Sequence, residues 1–264
     1  MIDYTGKQVL VTGAATGIGA ALSRALADRG AKVICADVVQ DKLAETVGQI
    51  CGDCHSLVCD LSQPSGAEEL LQQAWELGGG LDLVCSNAGI GFNGSVADTS
   101  FDERMDRLFE VNFFSGMRLG QAYARRLTES GRQGRFMVTA SENSLSVPDA
   151  VRAGRMAFYG ATKHALLVAM EWFRIEQTDG PLQLHVLMPG AVYTPLIAGL
   201  LPDPALAPAE LELIMPEECA ERALKGMDLD LFYIPTQAHL LEDMKPRMDE
   251  VAASMQALEI ELTC

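Results

Sequence analysis

The first forty residues contain the feature that most restricts the folds open to this chain. Residues 8–12 (QVLVT) form a short apolar run rich in β-branched residues, and a glycine-containing turn connects them to the helix-like segment AALSRALADRG. Gly30 closes that helix, and the next apolar run, KVICAD, ends at Asp37. The order strand, turn, helix, strand predicts a βαβ unit with parallel strands.

The same alternation continues along the chain. Five further strands are predicted in the segments SLVCD, LDLVCS, RFMVTA, LQLHVLMP and LFYIP, with one long helix from about Arg104 to Glu129. We therefore expect an α/β fold, a Rossmann-type doubly wound, mostly parallel seven-stranded sheet with helices on both faces. Residues 1–264 should form a single domain, because no linker or internal repeat divides them.

Two segments near the C-terminus differ from this strand and helix alternation. Prolines and small apolar residues dominate 195–216, which disfavours a long regular element and predicts a lid over a binding site. The last helix, from about Ala238, carries apolar residues along one side, and we expect that side to pack on its own domain rather than on another subunit. Those residues are Leu240, Leu241, Met244, Met248, Val251, Met255 and Leu258.

Composition excludes several classes of partner. The formal net charge is -16 and the isoelectric point is near 4.6, which argues against binding to a phosphate backbone. No run approaches the length of a membrane span, and the N-terminus lacks a signal-like pattern, so a cytoplasmic protein is expected. Seven cysteines, an odd number, favour free thiols in a reducing compartment. Cys51, Cys54 and His55 invite a metal or redox interpretation, but no second ligand pair has matching spacing, and we predict no metal.

The glycine-containing turn TGAATGIG predicts a dinucleotide site. Gly13, Gly17 and Gly19 follow a strand and open a helix, where glycine lets a pyrophosphate approach the backbone and the helix N-terminus offers free N–H groups. Asp37 falls eighteen positions after Gly19, where a carboxylate accepts hydrogen bonds from an adenosine ribose. The positions that would have to offset the charge of a 2′-phosphate are not basic, which favours NAD over NADP. They hold Ala14, Ala15, Val38 and Val39.

A second pattern, YGATK, places Tyr159 and Lys163 four residues apart. On a helix they project from one face about one turn apart, so the ammonium favours the phenolate and lowers the phenol pKa. The same spacing occurs by chance in amphipathic helices, so its meaning depends on the rest of the chain.

Taken together, these motifs resemble those of the short-chain dehydrogenase/reductase family, from about Gly6 to Thr194. TGAATGIG is similar to the glycine-rich turn of the family, SNAG (86–89) to its NNAG segment, YGATK to its Tyr-x-x-x-Lys and PGAVYT to its Pro-Gly turn. The resemblance implies nicotinamide-dinucleotide binding, with Asp60 and Leu61 beside the adenine; helix capping is the competing interpretation of Asp60. The cofactor-binding residues implied are Gly13, Thr16, Gly17, Ile18, Gly19, Asp37, Asp60, Leu61, Asn87, Ala88, Gly89, Tyr159, Lys163, Val192 and Thr194.

The resemblance also implies two further catalytic residues beside Tyr159 and Lys163. Asn112, in EVNFFSG, corresponds to the asparagine that holds a relay water, although from sequence alone it reads as a kink or a core amide. Ser141 follows the fifth strand and corresponds to the catalytic serine, but it stands eighteen positions before Tyr159, farther than is usual. Ser144 and Ser146 are nearer in sequence; the position of Ser141 at the sheet edge favours it.

We therefore expect an NAD-dependent oxidoreductase that interconverts a secondary alcohol and a ketone, working as a homodimer or homotetramer. The alternatives are an NADPH-preferring carbonyl reductase and a non-catalytic NAD-binding member of the family. Apolar residues on two segments predict a pocket for a bulky apolar substrate such as a steroid-like, alicyclic or aryl alcohol. They are Leu145, Val147, Val151, Met156 and Phe158 on one wall, and Ile90, Phe92, Tyr193, Leu196 and Ile197 on the other.

Overall fold

The computed structural model describes residues 1–148, 152, 154–199 and 201–260. Within these residues, seven strands form one sheet in the order β3-β2-β1-β4-β5-β6-β7, and every neighbouring pair is parallel. The strands are β1 Gln8–Thr12, β2 Lys32–Asp37, β3 Cys54–Val58, β4 Leu83–Ser86, β5 Gly134–Thr139, β6 Leu182–Met188 and β7 Tyr233–Pro235. The predicted doubly wound α/β fold is confirmed.

Helices connect the strands and cover both faces of the sheet. They are α1 Gly17–Asp28, α2 Gln40–Gly48, α3 Gly66–Gly78, α4 Glu103–Phe109, α5 Ser115–Ser130, α6 Ala157–Glu176, α7 Pro195–Ala198, α8 Pro216–Asp228 and α9 Leu240–Ala257. Alternate residues of each buried strand face opposite helix layers. Leu10 of β1 packs in the cluster that includes α3, α5 and α6, whereas Val9 and Val11 pack in the cluster that includes α1 and α8.

Strand boundaries differ from the prediction at the two edges of the sheet. β3 begins at Cys54 and ends at Val58, two residues earlier than the predicted SLVCD, and β7 covers only Tyr233–Pro235 of the predicted LFYIP. An edge strand pairs on one side and leaves part of its surface in water, so its hydrophobic pattern marks its ends poorly. The interior strands were predicted more closely.

The predicted long helix after β4 is present between Glu103 and Ser130. A π-helical turn, Glu110–Phe114, lies within it between α4 and α5, and the sequence pattern did not predict this turn. The wider turn contains Asn112, whose buried side chain forms hydrogen bonds with the chain beyond β4. π-helical turns are rare and are found frequently at functional sites.

The expectation that the apolar side of the last helix packs on its own domain was also wrong. Leu240 is buried, but Leu241, Met248, Val251 and Leu258 are exposed along α9. Burial would require another element beneath that side, and no described part of the chain provides one. The apolar spacing alone cannot tell a covered helix from an uncovered one.

The segment 195–216 follows the prediction of short irregular structure. It contains α7 and two single 3₁₀ turns, Pro204–Leu206 and Ala209–Leu211. Across the described residues, no helix is long and apolar enough to cross a membrane. Val151, predicted for the substrate pocket, lies outside the described residues.

Candidate active site

A cavity of about 690 Å³ opens at the carboxyl ends of the strands. β1 and β4 are neighbours there, and the chain runs outward from them in opposite directions, through β2 to β3 and through β5 to β7. Loops after the strands diverge at such a switch point and leave a crevice between them. The cavity is therefore lined by residues after β2 and β3 on one side, such as Asp37 and Asp60, and after β5 on the other, such as Ser141.

The glycine-rich turn has the shape that a dinucleotide requires. Gly13 and Gly17 have φ of 65° and 57°, a conformation that favours glycine. A Cβ on Gly13 would lie 2.9 Å from the Cα of Ala88, and one on Gly19 would collide with the carbonyl oxygen of Gly13. The turn therefore stays narrow and leaves the N-terminus of α1 open to the cavity, which fits a pyrophosphate.

Asn87 connects the glycine turn to β5. Its Nδ2 donates to the carbonyl oxygen of Thr12 at 3.2 Å, and its Oδ1 accepts from Oγ1 of Thr139 at 3.0 Å. The Thr12 hydroxyl in turn accepts the N–H groups of Asn87 and Ala88, both at 3.0 Å. Sequence reasoning found Asn87 but missed Thr12 and Thr139, which are the last residues of β1 and β5. Their positions at the carboxyl ends of strands, where ligands bind in parallel sheets, could have identified them.

Two carboxylates line the cavity beyond β2 and β3. Asp37 accepts the backbone N–H groups of Ala15 and Val39, each at 3.0 Å, and these bonds fix the carboxylate against the glycine turn. Asp60 accepts the N–H of Ser62 at 2.9 Å and so caps its own turn while lining the cavity. Asp60 caps no helix, because α3 begins at Gly66 with Ser65 as its N-cap, so the helix-capping interpretation was wrong. Its place beside an adenine stays a prediction. The hydrogen bonds with Ser62 are the main cause that lowers the pKa of Asp60. Arg107 of α4, which also lines the cavity, lowers this pKa further through its positive charge.

Ser141 lies just beyond β5 and caps a 3₁₀ turn, Glu142–Ser144. Its Oγ accepts the N–H of Asn143 at 3.2 Å, and its own N–H donates to Oγ of Ser144 at 3.2 Å. Ser141 lines the cavity, whereas Ser144 and Ser146 are buried and are not part of its described lining. The structure therefore brings Ser141 to the cavity and uses Ser144 to hold the turn.

Tyr159 and Lys163 lie one turn apart on α6, and both reach the cavity. Burial raises the pKa of Tyr159 to about 12, although a hydrogen bond with Ser141 opposes the rise. Burial also lowers the pKa of Lys163 to about 8. Lys163 Nζ donates to the carbonyl oxygen of Thr139 at 2.7 Å and lies 5.8 Å from the centre of the Tyr159 ring. The lowering of the phenol pKa expected from Lys163 does not appear here: burial is the largest influence, and the Ser141 hydrogen bond rather than Lys163 opposes it.

Asn112 stands behind the cavity rather than in its described lining. Its Oδ1 accepts the N–H of Ile90 at 2.8 Å, and its Nδ2 donates to the carbonyl oxygen of Ile90 at 2.9 Å and to Oγ1 of Thr162 at 3.2 Å. The amide therefore ties the loop after β4 to the helix of Tyr159. Both of its alternative interpretations from sequence, a core amide and a helix irregularity, describe this geometry.

The cavity collects most of the predicted site residues. Those in its lining are Gly13, Thr16, Gly17, Ile18, Asp37, Asp60, Leu61, Asn87, Ala88, Gly89, Ser141, Tyr159, Lys163, Val192 and Thr194. Gly19 lies beneath Gly13 and serves close packing instead.

The predicted apolar walls are only partly present. Of the residues predicted for them, Ile90, Met156, Leu196 and Ile197 line the cavity. Leu145 packs on the core, Val147 is exposed, the ring of Phe158 packs edge-on against Phe92, and the Tyr193 hydroxyl donates to Pro202. Two polar residues that the sequence did not single out, Glu142 and Asn143, take part in the lining instead.

The sequence model of the family described as short chain dehydrogenase matches residues 7–204. The chain belongs to this family. It is thus an oxidoreductase of the short-chain dehydrogenase family, whose members use a nicotinamide cofactor, as the resemblance in the sequence predicted.

Three relatives illustrate the range of the family. The chain is 36% identical over 233 residues to 1-deoxy-11-beta-hydroxypentalenate dehydrogenase of Streptomyces avermitilis, covering 87% of this chain and 84% of the relative. A Burkholderia phymatum member in complex with NAD superposes with a TM-score of 0.84 at 23% identity, covering 96% of this chain and 97% of the other. A Burkholderia cenocepacia member in complex with NADP has a TM-score of 0.72 at 27% identity, covering 86% and 91%.

Proposed function

We propose that this short-chain dehydrogenase interconverts a secondary alcohol and a ketone with NAD. One observation carries the proposal: Ser141, Tyr159 and Lys163 converge on the same cavity that the glycine turn and Asp37 line. A nicotinamide cofactor bound there supplies the hydride acceptor or donor. The Streptomyces avermitilis relative, whose name specifies a hydroxypentalenate, supports an alcohol as substrate.

The choice of NAD rests on Asp37. Its carboxylate is fixed at the glycine turn by Ala15 and Val39, where it accepts ribose hydroxyls and repels a 2′-phosphate. Arg107 supports the runner-up, an NADPH-preferring carbonyl reductase, because it brings a positive charge to the Asp60 side of the cavity. We favour NAD, since Asp37 is held in place by two backbone hydrogen bonds at the turn itself.

Four side chains have separate roles in the proposed proton transfer at the substrate oxygen. Tyr159 as phenolate takes the hydroxyl proton, and Ser141 donates a hydrogen bond to the same oxygen. Because burial raises the phenol pKa to about 12 with Lys163 already beside the ring, the phenolate needs further positive charge, which a bound oxidised nicotinamide would supply. Lys163 binds the cofactor ribose, while Asn112 positions the relay water.

The substrate is proposed to be a bulky, mainly apolar alcohol. Ile90, Met156, Leu196 and Ile197 supply apolar surface, and a cavity of about 690 Å³ is large enough for a cofactor end and a multi-ring substrate. The segment 195–216 is proposed as the lid, because its first helix, α7, contributes Leu196 and Ile197 to the lining.

This function can be tested by initial rates on a panel of secondary alcohols. The rates are measured with NAD and with NADP by the absorbance of the reduced nicotinamide. The panel should include alicyclic, aryl and steroid alcohols together with a sugar alcohol. We expect turnover of at least one bulky apolar alcohol and a higher kcat/KM with NAD. Binding of NAD without turnover across the panel would instead support a non-catalytic member of the family.

A further inference from the structure

A buried carboxylate stands directly beside Ser141. The Glu142 side chain is only 8% exposed, its N–H donates to the carbonyl oxygen of Pro189 at 2.8 Å, and it lines the cavity. A Cβ on Gly190 would lie 2.9 Å from Glu142 Oε2, so the carboxylate fills the space between the serine turn and the Pro189–Gly190 turn. Carboxylates are rarely buried without a charged or hydrogen-bonding partner, so the buried charge of Glu142 requires groups that stabilise it.

The partner of Glu142 comes from the far end of the chain. His239, the residue before α9, places Nε2 2.7 Å from Glu142 Oε2 and Nδ1 3.3 Å from Glu212 Oε2. Burial lowers the pKa of His239, but its hydrogen bond with Glu142 and the negative charges of Glu142 and Glu212 outweigh that effect and raise it. Burial raises the pKa of Glu142, and His239 opposes the rise. The two side chains therefore form a charge-assisted hydrogen bond.

The same C-terminal segment holds both turns that flank Glu142. Arg247 Nη1 donates to the carbonyl oxygen of Leu145 at 3.0 Å, at the end of the serine turn. Gln237 accepts the N–H of Gly190 at 2.7 Å and donates to the carbonyl oxygen of Ala191 at 2.9 Å. The family match ends at residue 204, so these contacts come from a part of the chain outside it.

Glu142 and Tyr159 both line the cavity, so the Glu142 carboxylate and the phenol face the same space. Burial is the largest cause that raises the pKa of Tyr159, and the negative charge of Glu142 adds to it against the Ser141 hydrogen bond. Near Glu142 and His239 the other charged groups are Glu212, Arg247 and Asp243, whose Oδ2 lies 3.9 Å from His239 Nε2. On the Tyr159 side the charged group is Lys163. Glu142 is thus connected to both residues that are proposed to contact the substrate oxygen.

We propose that Glu142, held by His239, is a positioning residue that fixes the turn presenting Ser141 and sets the electrostatic environment of Tyr159. The inference rests on the proposed alcohol–ketone chemistry. It gives the start of α9 a role in that chemistry, because His239 is the N-cap of α9 and Arg247 of α9 donates to Leu145 at the end of the serine turn.

Two kinds of variant separate charge from position. Glu142→Gln keeps the size and an acceptor oxygen but removes the charge, so the rise of the oxidation rate with pH should move down by roughly half to one pH unit. His239→Ala removes the holding bond, so kcat should fall about tenfold while the NAD dissociation constant changes less than about twofold. His239→Gln retains a donor and should recover part of kcat.

Matched controls test whether the effects belong to the site. Glu171→Gln removes a partly buried carboxylate that accepts from the Tyr233 hydroxyl at 2.8 Å, on the far part of α6. His55→Gln removes an imidazole that faces Asp53 at 3.2 Å near the start of β3. Both variants should keep the pH profile and kcat of the parent protein.

A spectroscopic titration keeps the inference independent of turnover. Tyrosinate absorbance in the near ultraviolet, measured against the Tyr159→Phe variant, should show the Tyr159 phenol ionising at lower pH in Glu142→Gln. If the parent protein oxidises no alcohol of the panel but this shift is present, the proposed function fails and the electrostatic part of the inference stands.

Three results would overturn the inference. They are an unchanged titration and pH profile in Glu142→Gln, an unchanged kcat in His239→Ala, and loss of parent activity on chelation with recovery on adding a divalent cation. Recovery with a divalent cation would mean that Glu142 and His239 are joined by a metal ion rather than by a hydrogen bond. Glu142, His239 and Asp243 could hold it, because their ligand atoms lie within 4.8 Å of one another.

Discussion

The amide of Asn112 is bonded to both backbone groups of Ile90, with Oδ1 2.8 Å from its nitrogen and Nδ2 2.9 Å from its oxygen. This double contact holds the loop after β4, which carries Asn87 and Gly89, against the π turn. A cavity wall made of loop backbone is thereby fixed by one buried side chain.

Asn112→Ala should lower the free energy of unfolding by roughly 2–4 kcal/mol, because it leaves the half-buried N–H and C=O groups of Ile90 without their partner. Denaturation in urea measures the change. Asn93 is exposed and donates to the carbonyl oxygen of Gly154, so Asn93→Ala is the control and should cost less than about 1 kcal/mol. Equal losses in the two variants would contradict the role assigned to Asn112.

Gly19→Ala should abolish NAD binding, because the added methyl group meets the carbonyl oxygen of Gly13 and forces the turn to move. Calorimetric titration with NAD measures the loss. Gly48, in α2, has nothing within 4 Å of an added Cβ, so Gly48→Ala should bind NAD normally and be stabilised by up to about 1 kcal/mol. Normal NAD binding by Gly19→Ala would show that the turn does not contact the cofactor.

Asp37→Asn should shift the preference from NAD towards NADP at least about tenfold in the ratio of kcat/KM values, a change of roughly 1.4 kcal/mol. The substitution removes the charge that repels a 2′-phosphate while preserving most of the side-chain shape. Asp41→Asn, an exposed acid in the first turn of α2, controls for the general loss of one charge. An unchanged ratio in Asp37→Asn would favour Arg107 as the residue that selects the cofactor.

We also propose that the protein is a homodimer or homotetramer. Val168, Trp172 and Ile175 of α6 are exposed at 51%, 63% and 63%, and their spacing places them on one side of the helix. Trp172→Glu should therefore yield a smaller species in analytical ultracentrifugation, whereas Val96→Glu, at a residue exposed to 70% outside the helices, should not. A monomeric parent protein would refute the proposal.

The fold was predictable because its signals are local. The interior strands are continuous apolar runs, since both of their faces are covered, and each is followed by a turn and an amphipathic helix. The edge strands β3 and β7 were placed less accurately because each pairs on one side only. Tyr159 and Gly13 could be identified because their neighbours in the sequence form part of the same motif.

The remaining parts of the site depend on contacts between distant segments. The π turn places Asn112 against the backbone of Ile90, 22 residues away in the sequence. The helical spacing of apolar residues does not indicate such a turn. Glu142 and His239 are 97 residues apart, so neither could be assigned a partner from the sequence. The pKa of Tyr159 could not be predicted from its spacing to Lys163, because the desolvation that raises it depends on how deeply the fold buries the phenol.

The most direct test of the proposed chemistry is the rate of NAD reduction by a bulky secondary alcohol as a function of pH, in the parent protein and in Tyr159→Phe. The parent rate should rise with pH, because the raised pKa of Tyr159 makes the phenolate scarce at neutral pH. Tyr159→Phe should lose roughly 10²–10⁴-fold in rate while still binding NAD. A near-unchanged rate in Tyr159→Phe, or a parent rate that is flat through the alkaline range, would contradict the assignment of Tyr159 as the catalytic base.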